Sequence, residues 1–124
     1  MKAYLINPKA GTISQVDIDG GLSDMYRLLD CQLVDVLRDA IPGHDIWLDD
    51  EGLMFEDEAP HGLFYSKRTG QTLAGLGLVL SSNQEGDCTA ATCSAEDITK
   101  YVQPIAEINH EEKSIYLGHF KIAA

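Results

Sequence analysis

Leu73-Ala74-Gly75-Leu76-Gly77-Leu78-Val79-Leu80 is the most apolar run in the chain, and how it is read decides the fold. A short uncharged run of this kind fits a strand buried on both faces, so residues 73–80 are placed at the centre of a sheet. Gly75 and Gly77 then serve close backbone packing or a bulge within that strand. On the N-terminal side Gly62-Leu63-Phe64-Tyr65 is a short strand, preceded by a polar, acidic loop from Phe55 to His61 that contains Pro60. On the C-terminal side Ser81 to Asp87 is a turn. Ser94-Ala95-Glu96-Asp97 places a carboxylate three residues after a hydroxyl, the signature of a helix start. That helix is expected to run to Gln103 or slightly past Pro104, with Ile98, Tyr101, Val102 and Ile105 facing inward. Lys113 to Ile122 alternates as a last strand.

The N-terminal half supplies the remaining elements. Tyr4-Leu5-Ile6 is closed by Asn7-Pro8 and Gly11, and Ile13 to Asp19 alternates, so residues 3–7 and 13–18 form a hairpin. Asp19-Gly20-Gly21 ends it. Leu22, Met25, Tyr26 and Leu29 then recur at helical spacing, predicting a short amphipathic helix. Residues 33–39 and 45–49 make a second hairpin around Ile41-Pro42-Gly43-His44. The expected fold is therefore α+β: a single domain over residues 1–124, with a mainly antiparallel sheet of about five to six strands and two helices.

Composition sets outer limits. A chain of 124 residues with 44% hydrophobic and 23% charged residues suits one folded domain. No apolar run approaches the roughly 20 residues of a membrane span. The opening Met1-Lys2-Ala3-Tyr4-Leu5-Ile6 has too short an apolar stretch for a signal peptide, so a cytoplasmic protein is expected. Cys31, Cys88 and Cys93 are an odd count without framework spacing, which fits a reducing compartment.

Charge is the most uneven property. Between Asp17 and Glu58 thirteen acids face two bases, Arg27 and Arg38, a balance of −11, while the other residues sum to zero. The densest part, Asp39 to Glu58, holds eight acids and no Lys or Arg. Such a surface repels nucleic acid and anionic membrane and attracts proteins with basic grooves.

The opening Met1-Lys2-Ala3-x-Leu5-Ile6-x-Pro8, the turn Asp50-Glu51-Gly52-Leu53, the strand Leu73-Ala74-Gly75-x-Gly77-Leu78-Val79-Leu80 and the turn Glu85-Gly86-Asp87 carry a resemblance. Over roughly residues 1 to 90 the chain resembles a family of small acidic proteins of unknown function carried by bacteriophages, plasmids and other mobile elements. It departs from that pattern at Pro60-His61-Gly62, where many members have an Asn-rich segment. The resemblance implies no reaction and no catalytic residue. It implies a genomic context among genes that help a mobile element survive host defences.

Candidate sites follow. On a strand, side chains two apart share a face at about 6.6–6.8 Å, so Asp45 and Asp49 flank Trp47 while Ile46 and Leu48 point to the core. Asp50, Glu51, Glu56, Asp57 and Glu58 extend this into an anionic ridge around one aromatic, the expected partner-binding surface; its bland counterpart is a solvated acidic face. For zinc, Cys88 and Cys93 just fit a ligand spacing, but His110 and His119 are too far apart, and no metal is expected. Cys93 stands before a helix start, where a thiol pKa falls, yet His44, His61, His110 or His119 would have to be brought to it by the fold. Gly70, Gly75 and Gly77 make no phosphate-binding motif, and Lys67-Arg68 is at most one end of a charge dipole.

The expectation is a non-enzymatic inhibitor or decoy without cofactor. It would occupy the basic groove of a host nucleic-acid-processing protein, such as a nuclease or a CRISPR or restriction-type complex. It would touch neither nucleic acid nor membrane directly. The alternatives are an accessory protein–protein module whose acidic face serves solubility, and a small enzyme built on Cys93 or a metal.

Overall fold

The structure, a computed structural model, describes residues 1–19, 21–50, 60–109 and 111–123. Among them are β1 (Lys2–Asn7), β2 (Thr12–Asp17), α1 (Leu22–Leu29), β3 (Val34–Ile41) and β4 (His44–Asp49). Then follow β5 (Leu63–Ser66), β6 (Gln71–Ala74), β7 (Gly77–Ser82), β8 (Cys88–Thr89) and α2 (Ala95–Thr99). The chain closes with β9 (Val102–Asn109), β10 (Ser114–Leu117) and β11 (Lys121–Ala123). Both N-terminal hairpins and the first helix fall where hydrophobic periodicity puts them.

The fold is mostly β with two helices, but five to six strands was too few and one sheet too simple. A seven-stranded sheet has the order β11-β2-β1-β7-β4-β3, with β8 also pairing β7, and a four-stranded sheet has the order β10-β9-β5-β6. Pairing is antiparallel except between β11 and β2, which run parallel and make the larger sheet mixed.

The apolar run 73–80 is not one strand. Leu73 belongs to β6 in the small sheet and Leu78 to β7 in the large one, with Gly75 between them at φ +94. Only glycine adopts that backbone without strain. The Gly75 amide donates to the Gly62 carbonyl at 2.9 Å, so the chain turns here and crosses between sheets. The central-strand reading holds from Gly77 onward. Leu78 and Leu80 pack beneath α1 with Met25, Leu29 and Ala3, while Val79 faces a second cluster with Ile6, Ile46, Leu48, Phe64 and Leu73. Because β7 is buried on both faces, its sequence is uniformly apolar rather than alternating. The large sheet thus lies between the small sheet and α1.

The second helix is much shorter than expected. Its start is as read: Ser94 Oγ accepts from the Asp97 amide, and the Asp97 carboxylate accepts from the Ser94 amide. It ends at Thr99, where the Lys100 and Tyr101 amides donate to the Asp97 and Ile98 carbonyls three residues back, a tighter turn that closes the helix. Val102 instead opens β9. Ile98 and Val102 still enter the same core, which is why helical spacing fitted both. The tail is likewise two strands, not one: β10 extends the small sheet and β11 the large, with Phe120 buried between them.

Gly77 sits where the layers are tightest. A Cβ there would lie 3.0 Å from Ile46 Cγ2, 3.2 Å from Phe64 Cζ and 3.5 Å from Ile6 Cδ1. All three side chains are fully buried, so none can swing into solvent. Gly77→Ala is expected to cost about 1–3 kcal/mol of stability, the usual penalty for overpacking. Urea denaturation measures it, and an unchanged midpoint would mean the Phe64 ring has room to retreat.

Candidate functional site

The expected ridge of Asp45, Trp47 and Asp49 does not form as drawn. β4 lies between β3 and β7, and α1 covers the face that the strand alternation left open. Asp45 is only 6% exposed. Its Oδ1 accepts from the Asp39 amide at 2.9 Å and its Oδ2 from Arg38 Nη1 at 3.0 Å. The same Arg38 guanidinium lies 6.0 Å from the centre of the Trp47 ring. Trp47 itself is half-buried against the cluster beneath α1. A register shift in β3 between Leu37 and Ile41, with Asp39 at φ +53, brings the Asp39 amide to Asp45. Asp45 is therefore a buried, paired carboxylate, with Trp47 half-covered and the Arg38 side chain reaching solvent beside it.

Asp30, Asp49 and Asp50 share one neighbourhood, because the end of β4 pairs with the chain just after α1. Asp30 caps the C-terminus of α1 in the left-handed conformation, and Cys31 follows it. Burial pushes the Cys31 thiol pKa up, and Asp49, Asp50 and Asp30 push it further by disfavouring the thiolate. The Asp50 amide donates to the Leu33 carbonyl at 3.0 Å, fixing the end of β4 here. His61 Nε2 lies 2.8 Å from Asp30 Oδ2, and the His61 carbonyl accepts from the Lys9 amide at 3.0 Å. The described chain thus leaves at Asp50 and returns at Pro60 in one neighbourhood. Glu51, Glu56, Asp57 and Glu58, expected at the same surface, lie outside the described residues.

Each arginine lies against an acid. Arg27 pairs with Asp24, Arg38 with Asp45, and Arg68 with Asp39. Arg68 is therefore folded against the acidic third of the sequence rather than standing as the opposite end of a dipole. Asp30 and His61 were missed as a pair because 31 residues separate them and nothing local links them.

The reactive-cysteine reading meets a different geometry. The fold does bring His44 to Cys93, but not to its thiol. His44 is 5% exposed; its Nδ1 is 3.1 Å from the Pro42 carbonyl, and its Nε2 accepts from the Thr92 and Cys93 amides at 3.0 and 3.2 Å. Those donors occupy the lone pair a general base would need. Burial also raises the Cys93 thiol pKa, opposite to the expected effect of the helix start, which here opens a helix of five residues. Cys88 packs on the α1 side of the large sheet and Cys93 on the other, which separates the proposed zinc pair. Among the described residues no three His, Cys, Asp or Glu side chains are grouped as metal ligands.

These features define a small, mostly β protein with two sheets on a common core and carboxylates gathered at one end. The chain belongs to the DUF3846 family, a domain of unknown function, which it matches over residues 1–106. The match runs into β9, past the stretch over which the mobile-element resemblance extends. No curated protein and no solved structure matches the chain. Among the described residues no helix is long and apolar enough to cross a membrane.

Two outcomes are expected. Asp45→Ala leaves the Asp39 amide and the Arg38 guanidinium without their acceptor and costs about 1–3 kcal/mol in denaturant unfolding. A loss no larger than that of a random surface substitution would remove Asp45 from the fold's support. For Asp39, the hydrogen bond from Arg68 and then the Gly43 amide hold its pKa below the ordinary 3.8. A depressed folded-state pKa contributes stability that is complete above 3.8 and lost as the pH falls through the lowered value. Asp39→Asn, which tolerates the left-handed backbone, should weaken the protein at neutral pH, by a difference that shrinks as the pH falls below 3.8. A constant difference across that range would refute the linkage.

Proposed function

We propose that this chain is a non-enzymatic binding protein whose acidic end occupies a basic, nucleic-acid-binding groove on a partner protein. The observation that carries the reading is the backbone bond from the Asp50 amide to the Leu33 carbonyl, three residues after Asp30, which sets Asp30, Asp49 and Asp50 at one end of the molecule. From that point leaves a segment bearing Glu51, Glu56, Asp57 and Glu58, and His61 brings the chain back to Asp30. A surface of this kind steers basic proteins at long range and repels nucleic acid. The engaged His44 and the raised Cys93 thiol support binding rather than nucleophilic catalysis.

The mobile-element resemblance points to the class of partner: a host defence nuclease or a CRISPR or restriction-type complex, blocked at its nucleic-acid groove. Trp47, half-buried beside Arg38, offers its uncovered part as an apolar contact on the neighbouring face.

The test is capture from a nuclease-treated bacterial lysate at low salt, elution along a salt gradient and identification by mass spectrometry. The partner expected is one nucleic-acid-processing protein that elutes sharply with salt. The variant Asp49→Asn, Asp50→Asn, Glu51→Gln should associate about 10–100-fold more slowly while keeping its circular dichroism spectrum. A partner retained through high salt and indifferent to that variant would replace this reading with an apolar interaction module.

A further inference from the structure

The small sheet ends in an edge whose chemistry differs from that of the other outer strands. Among the described residues β10 has β9 on one side and no strand on the other. Its Ile115, Tyr116 and Leu117 are 50%, 49% and 40% exposed. Successive strand residues point to opposite faces, so both faces of β10 are uncovered. The outer strands of the large sheet carry charge, with Asp35, Arg38 and Asp39 on β3 and Lys121 on β11, and β6 turns Leu73 into the core. Charge on an edge is a common guard against further pairing, and β10 has none. The irregularity beside it lies in β9: Tyr116 pairs with Glu107 and Leu117 with Ile105, so the extra residue is Ala106. The outer edge of β10 therefore stays extended.

Acids frame this edge. Glu107 is directly opposite Tyr116 and shares its face, and Tyr116 Oη donates to Glu112 Oε2 at 3.4 Å. Glu111 is exposed in the adjoining turn, and the base nearby in sequence is Lys113. An aromatic ring with one carboxylate across the strand pair and another at its hydroxyl suits a guanidinium, which stacks on the ring and pairs with a carboxylate.

We propose that β10 is a docking edge for an extended segment of a partner protein in which basic and apolar residues alternate. The segment adds as a fifth strand, with an Arg or Lys on Tyr116 beside Glu107 or Glu112, and apolar side chains against Ile115 on the opposite face. Pairing of this kind takes affinity from main-chain hydrogen bonds and specificity from alternate side chains. A second copy is the poorer occupant, because a two-fold axis on β10 would set Glu107, Glu111 and Glu112 against their own images. The edge is separate from the acidic end around Asp30, and neither proposal depends on the other.

The test uses the full chain labelled with nitrogen-15 and titrated at physiological salt with acetyl-Val-Arg-Val-Arg-Val-Arg-Val-amide. Saturable shifts should be largest at the amides of residues 114–117. Tyr116→Ala combined with Glu107→Gln should weaken binding about tenfold, the loss of a cation–π contact and one ion pair. A peptide with Glu for Arg, or with alternating Pro that cannot pair, should leave β10 unshifted. Shifts confined to the neighbourhood of Asp30 and Asp50 would overturn the proposal, as would equal binding of the Pro peptide. Concentration-dependent shifts at β10 without peptide would give the edge to a second copy and overturn it as well.

Discussion

The contact between Phe64 and the bare Cα of Gly77 joins the two sheets, and most of the molecule is arranged around it. Phe64 belongs to the small sheet, Gly77 to the strand at the centre of the large one, and Ile6 and Ile46 close in from the strands on either side. A side chain at Gly77 would hold the layers apart by the few tenths of an ångström that separate close packing from a void. Two residues earlier Gly75 turns the chain from one sheet into the other. Two glycines thus do different work within three positions: one bends the backbone and the other vacates space.

That division explains what was legible in the sequence. Hydrophobic period gave the N-terminal hairpins and α1 because each buries one face, and a one-sided element writes its period into the chain. Leu73 to Leu80 has no period, since it is deeply buried in two different sheets, and nothing in its composition marks the passage between them. Ile98 and Val102 show the opposite failure. They sit at helical spacing and share a core, yet one is on a helix and the other on a strand. Spacing reports a shared destination, and several backbone paths reach it. Pro104 argues against a helix through Gln103, but the earlier stop at Thr99 is not written in it.

The acidic third shows how far charge can be read without structure. Its excess is plain in the sequence, but charge counts do not separate carboxylates that the fold consumes from those it leaves at the surface. Asp45 is consumed by Arg38 and the Asp39 amide, Asp39 by Arg68 and the Gly43 amide, and Asp24 by Arg27. Each of these acids shapes a turn or a strand end. Asp30 comes from a distant helix cap to stand with Asp49 and Asp50, a meeting that no local pattern announces. Alternation correctly sent Ile46 and Leu48 inward, and it misjudged the other face because α1, contributed by residues far upstream, lies over it.

The parallel pairing of β11 with β2 has a consequence for how the chain folds. Lys121 lies opposite Thr12 and its amide donates to the Gly11 carbonyl at 2.8 Å, so the pair joins segments separated by most of the sequence. Closing so large a loop costs entropy before any contact rewards it, and folds dominated by such pairings reach their native state slowly. On a ribosome the first hairpin is complete long before residues 121–123 emerge, and throughout that interval the outer edge of β2 is bare. The time between those two events, rather than the finished surface, is when this protein is most open to pairing with the wrong strand.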